Sequence, residues 1–260
     1  MTGDFDTRRG IAAAQIPIFS VFLGFGVFFR LQRKNGWFSI SLFSTIRLVG
    51  ASCMLATLTT DARGVWAAVF VCESLGLVLL TFVLLNLLKS ANECLNVWTS
   101  WHFRIPELIC WAGIGVSVAD FVGASNRENA MAPSVLTRVS VGLFVALFAW
   151  TVLLFVYIFQ SRHQLPATQK HGVVGVGIAI PFMTIRTLQT LIYTATAAAR
   201  FSAVTGSAMI YLFMTMLPEV GVLSSIVWAI MGSLPTSKKV RVPSEDGGEF
   251  SDLTAEGRRT

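Results

Sequence analysis

Long runs of apolar residues, separated by short polar connections, occupy most of the chain. A bilayer core is crossed by about 20 apolar residues in a helix, and seven of the runs reach this length. They cover residues 11–29, 37–60, 65–88, 105–124, 139–160, 173–196 and 208–231. The pattern predicts an all-α fold, a bundle of seven transmembrane helices.

The connections between the runs are too short to hold a separate soluble domain. We therefore divide the chain into a short extracytoplasmic N-terminus (residues 1–10), a seven-helix membrane domain (residues 11–231) and a cytoplasmic tail (residues 232–260). The tail begins with the basic cluster Lys238-Lys239-Val240-Arg241 and becomes acidic afterwards. This composition predicts an anchor on anionic lipid followed by a disordered end.

Composition and charge agree with a protein whose main partner is the lipid bilayer. Only 13% of the residues are charged, against about 25% in soluble domains, and this excludes a soluble fold. Of the 20 Lys and Arg residues, 12 lie on the side of the C-terminal tail, six on the opposite side and two within the runs. This asymmetry predicts an N-out, C-in orientation. It also accounts for the net charge of +6, so we expect no nucleic-acid partner.

Four ionisable residues lie deep inside the predicted spans: Arg47, Glu73, Arg186 and Glu219. Two further acids, Glu107 and Asp120, lie near the ends of the span 105–124. A charged side chain at the centre of a membrane costs about 2.5–3.5 kcal/mol, so unpaired charges are hard to retain there. Counting from the ends of the spans places all four within about one helical turn of one another in depth. Two arginines and two glutamates at the same depth can neutralise one another. We therefore predict that they form one charged layer.

Two roles for this layer are open. Ion pairs can simply fix which helices are neighbours. Alternatively, the layer lines a cavity, because Pro181 and Pro218 lie beside it and prolines interrupt helices at the substrate sites of transporters. Polar groups continue outward from Arg186 at Gln189, Thr190 and Tyr193, at helical spacing. The second role predicts a site for a lipophilic small molecule formed by Arg47, Glu73, Arg186, Gln189, Tyr193 and Glu219.

The second and sixth spans contain similar segments. Phe43-Ser44-Thr45-Ile46-Arg47 and Phe182-Met183-Thr184-Ile185-Arg186 share four of five residues, and the following span carries a glutamate in each case. The match predicts a parallel repeat of three spans, one linking span and three spans, an arrangement found in SWEET transporters. The two arginine-to-glutamate separations differ, so a chance match is an equal alternative.

Three motifs connect the chain with a known family. They are Ser-Thr-Ile-Arg-Leu-Val-Gly-Ala within residues 38–56, the segment from Pro181 to Arg186, and Gly206-Ser207 leading to Met216-Leu217-Pro218-Glu219. On these motifs the chain resembles a family of fungal seven-span membrane proteins without assigned function. Because some of those proteins occur in secondary-metabolite pathways, the resemblance implies an accessory role in fungal secondary metabolism.

Three functions remain open. The first is a multi-pass membrane protein that binds or moves a lipophilic small molecule at the charged layer. The second is an integral-membrane enzyme similar in size and span count to fungal terpenoid cyclases, with Glu73 or Glu219 as general acid. The Trp-Glu motif expected of those cyclases is missing, and the arginines would keep the glutamates ionised. The third is a receptor-like or structural bundle.

We expect neither a cofactor nor a metal ion, because the four cysteines do not show the spacing of metal ligands. The apolar runs place the protein in a membrane. The sequence does not distinguish the endoplasmic reticulum from the plasma membrane.

Overall fold

The computed structural model describes residues 7–232, with gaps at 35, 61–62, 96–97, 100, 125–134, 162, 164 and 203–205. These residues form seven long helical segments and a short 3-10 helix, Ala199–Phe201, and no strand occurs among them. The segments are α1 (Thr7–Leu31), α2 (Trp37–Ala56), α3 (Arg63–Leu95), α4 (Trp101–Ala124), α5 (Val135–Gln160), α6 (Ala167–Thr196) and α7 (Ala208–Met231). The all-α prediction is confirmed. The predicted tail lies outside the described residues apart from Gly232.

Six of these helices are long and apolar enough to cross a membrane, which indicates a multi-pass membrane protein. The exception is α4. It is helical throughout the predicted span 105–124, but it is not among the six candidate membrane spans found in the described residues. The seventh span, the N-out orientation and the parallel repeat stay predictions.

The outside of the bundle carries large apolar side chains. Val21, Leu108 and Leu153 are all more than 60% exposed, whereas Arg47 and Glu219 are almost completely buried. This distribution is the reverse of that in a soluble protein, where charged side chains are almost never fully buried unless they are paired. It suits a bundle surrounded by hydrocarbon.

The central helix is α3, which packs against α2, α4, α5, α6 and α7. In its most apolar stretch 61% of the residues are buried, against 33% in α1 and in α5. On either side of α3, α1 packs along α2 and α6 packs along α7. Gly175 lets α6 approach α7 closely, because a Cβ atom there would lie 2.5 Å from the Cβ atom of Ala229.

The last helix, α7, is not a uniform α-helix. It begins as Ala208–Tyr211, widens into a π-helical turn at Leu212–Met216 and continues as an α-helix over Leu217–Met231. Pro218 is the second residue after the wide turn. Pro181, by contrast, lies within the unbroken helix α6. The sequence predicts an interruption at both prolines, and the α-helical pattern is interrupted only in α7.

The connection between α1 and α2 holds the C-terminal end of α7. Gly36 precedes α2 with φ +92°, in the left-handed region that favours glycine. Lys34 Nζ donates hydrogen bonds to the carbonyl oxygens of Ile230 (3.1 Å) and Met231 (3.0 Å). The carbonyls of a last helical turn lack partners within the helix, and a cation there also interacts favourably with the helix dipole.

Candidate binding site beside a buried ion cluster

The four charges predicted to meet do form one cluster. Arg47 Nη1 lies 2.8 Å from Glu73 Oε2, and Arg47 Nη2 contacts Glu219 Oε1. Arg186 Nε lies 3.1 Å from Glu219 Oε1, and Arg186 Nη2 lies 3.5 Å from Glu73 Oε2. Each arginine therefore contacts both glutamates, and the charged layer is confirmed.

Four different helices supply this ion cluster: α2, α3, α6 and α7. The Arg47, Arg186 and Glu219 side chains are at most 3% exposed, and that of Glu73 is 11% exposed. Two positive and two negative charges cancel, so the cluster is formally neutral in an interior that does not tolerate unpaired charge. Gly76 leaves room for it, because a Cβ atom there would lie 2.5 Å from Arg47 Nη2.

Two further residues, not identified from the sequence, extend the cluster towards α1. The Tyr211 hydroxyl donates to Glu73 Oε1 at 2.5 Å and accepts a hydrogen bond from Gln15 Nε2 at 2.8 Å. Tyr211 and Thr215 precede Glu219 at intervals of four residues. This helical spacing could have identified Tyr211 as a neighbour of the cluster. Gln15 gave a weaker signal, since Gln15 and Ser20 are isolated polar residues in an apolar run.

Arg186 uses all five of its N–H groups. Its Nη1 atom donates to Gln189 Oε1 at 3.3 Å and to Thr190 Oγ1 at 3.1 Å. Its Nη2 atom donates to the backbone oxygen and the carboxylate of Glu73, and its Nε atom donates to Glu219. A guanidinium group has five N–H donors, so none remains for another acceptor. The predicted polar continuation along this face of α6 is present at Gln189 and Thr190.

A cavity of about 80 Å³ adjoins the ion cluster between α3, α5 and α6. Much of its wall is apolar and includes Phe70, Phe144 and Phe201. Four of the six predicted site residues line this cavity, namely Glu73, Arg186, Gln189 and Tyr193. The other two, Arg47 and Glu219, are not part of its wall.

Two polar atoms of the cavity's lining residues have no hydrogen-bond partner within the described part of the chain: Gln189 Nε2 and Ser140 Oγ. Gln189 is 1% exposed and Ser140 is 3% exposed. Gln189 Oε1, in contrast, accepts hydrogen bonds from Arg186 Nη1 and Thr215 Oγ1. Leaving a buried polar group unsatisfied costs about 1–3 kcal/mol, so such groups call for an explanation, of which a bound molecule is one.

A smaller cavity, of about 20 Å³, lies on the opposite side of the ion cluster, between α1, α2, α3 and α7. Arg47 and Tyr211 line it, together with the small residues Gly50 and Ala51. A space of this size holds about one water molecule. The predicted site residues are therefore divided between two cavities, and only the larger one has room for an organic group.

Within the described ranges no three His, Cys, Asp or Glu side chains are grouped so that they could hold a metal ion.

Comparison with known proteins gives a match to a family model. No curated protein and no solved structure matches the chain. A family model matches residues 5–234, a range that contains all seven helices. The expectation that the chain comes from a family without assigned function is confirmed. The chain belongs to the family described as a domain of unknown function (DUF7702).

Proposed function

We propose that this membrane protein binds a lipophilic small molecule inside its helical bundle, in the cavity between α3, α5 and α6. One observation carries the proposal: a largely apolar cavity wall also contains two buried polar groups, on Gln189 and Ser140, that have no partner among the described residues. Small-molecule sites are typically apolar cavities with a few placed polar groups that fix the orientation of the ligand.

In this proposal the ion cluster positions the site. Arg186 holds the side chain of Gln189 by a hydrogen bond to its oxygen and is itself held by both glutamates. The cluster also separates the larger cavity from the smaller one, because its contacts connect α2, α3, α6 and α7 across the bundle. Binding is therefore better supported than passage of a molecule through the bundle.

The terpenoid-cyclase alternative is less well supported by these contacts. A general acid must carry a proton that it can donate. Glu73 accepts hydrogen bonds at both carboxylate oxygens, from Tyr211 at Oε1 and from Arg47 and Arg186 at Oε2. Glu219 contacts the same two arginines. Both glutamates are thus paired with arginines. An accessory role in fungal secondary metabolism belongs to our proposal only through the resemblance described above.

Photoaffinity labelling tests the binding function. The purified protein, in lipid nanodiscs, is exposed to dodecyl probes that carry a diazirine in the chain, and the labelled peptides are identified by mass spectrometry. We expect saturable labelling around Phe70, Phe144 and Phe201, which line the cavity. Labelling at the exposed residues Leu108 and Leu153 should not saturate, because they face the surrounding lipid.

A cavity-filling variant sharpens the test. Ser140→Phe places a large side chain in the cavity wall and should abolish saturable labelling. Ser224→Phe makes the same change at an exposed position of α7 and should leave the labelling intact. The proposal is wrong if no probe labels the cavity in a saturable way, or if Ser140→Phe labels as the unmodified protein does.

A further inference from the structure

We propose that the molecule bound between α3, α5 and α6 is electrically neutral and presents an oxygen that accepts a hydrogen bond from Gln189. Ketones, esters and alcohols with a long apolar body belong to this class. The inference rests on the proposed binding function and adds the chemistry that the site selects.

The first step concerns charge. Glu73 and Arg186 are the charged residues that line the cavity, and both are already paired. All five N–H groups of Arg186 have acceptors, and both oxygens of Glu73 have donors. An anionic or cationic head group would therefore add an unpaired charge to a neutral cluster. The cost of a single charge in a membrane interior corresponds to about a 100-fold loss of affinity.

The second step concerns the direction of the hydrogen bond. Gln189 Oε1 accepts from Arg186 Nη1 and from Thr215 Oγ1. If the amide were turned over, its NH₂ group would face an N–H group of Arg186, and two donors cannot satisfy each other. The network therefore fixes the NH₂ group as the part of Gln189 that lacks a partner among the described residues. The ligand atom that meets it must be an acceptor.

The third step concerns two further polar residues of the cavity, Ser140 and Thr190. Ser140 Oγ, on α5, also lacks a partner within the described chain, and a hydroxyl group can donate or accept. Thr190, in contrast, already has partners. Its Oγ1 atom accepts a hydrogen bond from Arg186 Nη1 and donates one to the Arg186 carbonyl oxygen at 3.3 Å. A carbonyl oxygen with two lone pairs can accept from both Gln189 and Ser140, and an alcohol can accept from one and donate to the other.

Competition against the labelling probe tests this selectivity. Dodecyl methyl ketone, dodecanol, dodecanoate, dodecylamine and dodecane have similar chains and differ in their end groups. We expect the ketone and the alcohol to block labelling of the cavity. The two charged compounds should require concentrations at least about tenfold higher, because their charge finds no partner in the cavity. Dodecane should also require at least about tenfold more, because it has no acceptor for Gln189.

Two variants assign the contacts. Gln189→Leu should remove the preference for dodecyl methyl ketone over dodecane. Because this change also breaks the contacts to Arg186 and Thr215, Ser140→Ala is the milder variant, expected to weaken the ketone about threefold or more. Ser44→Ala is its matched control, since Ser44 Oγ is likewise buried and without a partner in the described structure but lies outside the cavity wall. It should leave the competition unchanged.

The outcomes separate the two proposals. If dodecanoate or dodecylamine blocks cavity labelling as well as the ketone does, the neutral class is wrong and the binding function stands. Equal effects of Ser140→Ala and Ser44→Ala would also overturn the assigned chemistry. If none of the probes labels the cavity in a saturable way, the binding function itself is wrong.

Discussion

Neutralising Glu219 should destabilise the bundle strongly. This carboxylate is completely buried and accepts contacts from Arg47 and Arg186 through one oxygen. Glu219→Gln removes one of two negative charges and leaves two guanidinium groups facing Glu73 alone, a net charge of +1 inside the bundle. Breaking a buried ion pair by removing one partner costs about 3–5 kcal/mol, and we expect a loss in this range for the free energy of unfolding.

A second substitution should recover part of this loss. Arg186→Met alone leaves a net charge of −1 and should cost a similar amount. The double variant Glu219→Gln/Arg186→Met keeps one ion pair, in which Arg47 Nη1 lies 2.8 Å from Glu73 Oε2. We expect its total cost to be lower than the sum of the two single costs by about 1–3 kcal/mol, the coupling usual for residues in one network.

The assay is reversible unfolding in mixed micelles, with a denaturing detergent as titrant and helix content as readout. Lys89→Met is the control, because the ion pair between Lys89 and Glu107 spans 3.4 Å but its side chains are 36% and 26% exposed. Such a pair contributes less than about 1 kcal/mol. Strictly additive single costs, or a cost of Glu219→Gln no larger than that of Lys89→Met, would refute the cancellation of charge in the cluster.

Two further substitutions test the surroundings of the cluster by the same unfolding assay. Gly76→Ala should lower the free energy of unfolding by at least about 1 kcal/mol, because its Cβ atom would lie 2.5 Å from Arg47 Nη2. Gly115→Ala has open space around it and should cost nothing. Equal effects of the two substitutions would contradict the packing argument. Tyr211→Phe should cost about 1.5–3 kcal/mol through the lost hydrogen bond to a carboxylate, and the exposed Tyr157→Phe should be neutral. A silent Tyr211→Phe would show that this hydrogen bond does not stabilise the fold.

The helices and the ion cluster could be predicted because both follow from the cost of placing polar groups in lipid. Runs of about 20 apolar residues are required to span a bilayer, and the observed helices cover the predicted runs, except that α2 ends at Ala56, before the end of the run 37–60. The four charges deep inside those runs had to find opposite charges at similar depth. Arg47, Glu73, Arg186 and Glu219 were therefore identified from their depth in the runs.

The full wall of the cavity could not be predicted, because it depends on how helices distant in sequence pack together. Ser140 lies in α5 and Phe201 lies after α6, and nothing in the hydrophobic pattern brings either residue next to Glu73. The sequence placed Arg47 and Gln189 in one site, but Arg47 lines the smaller cavity and Gln189 lines the larger one. Depth in the membrane can be counted along a chain, whereas the direction around a helix is set by its neighbours.

The π-helical turn in α7 determines the direction in which the two halves of that helix point. Over the eight residues from Tyr211 to Glu219 a regular α-helix turns through about 2.2 revolutions, which would separate the two side chains by about 80° around the axis. A π-turn accommodates one extra residue, so the interval rotates as about seven residues would, and the separation falls to about 20°. A single helix can therefore aim a phenol and a carboxylate into the same cluster. Loss of one residue from 212–216 would leave seven steps of regular α-helix and keep this separation, whereas one further inserted residue would turn the phenol away by about 100°. The length of this short stretch can therefore decrease by one residue more readily than it can increase.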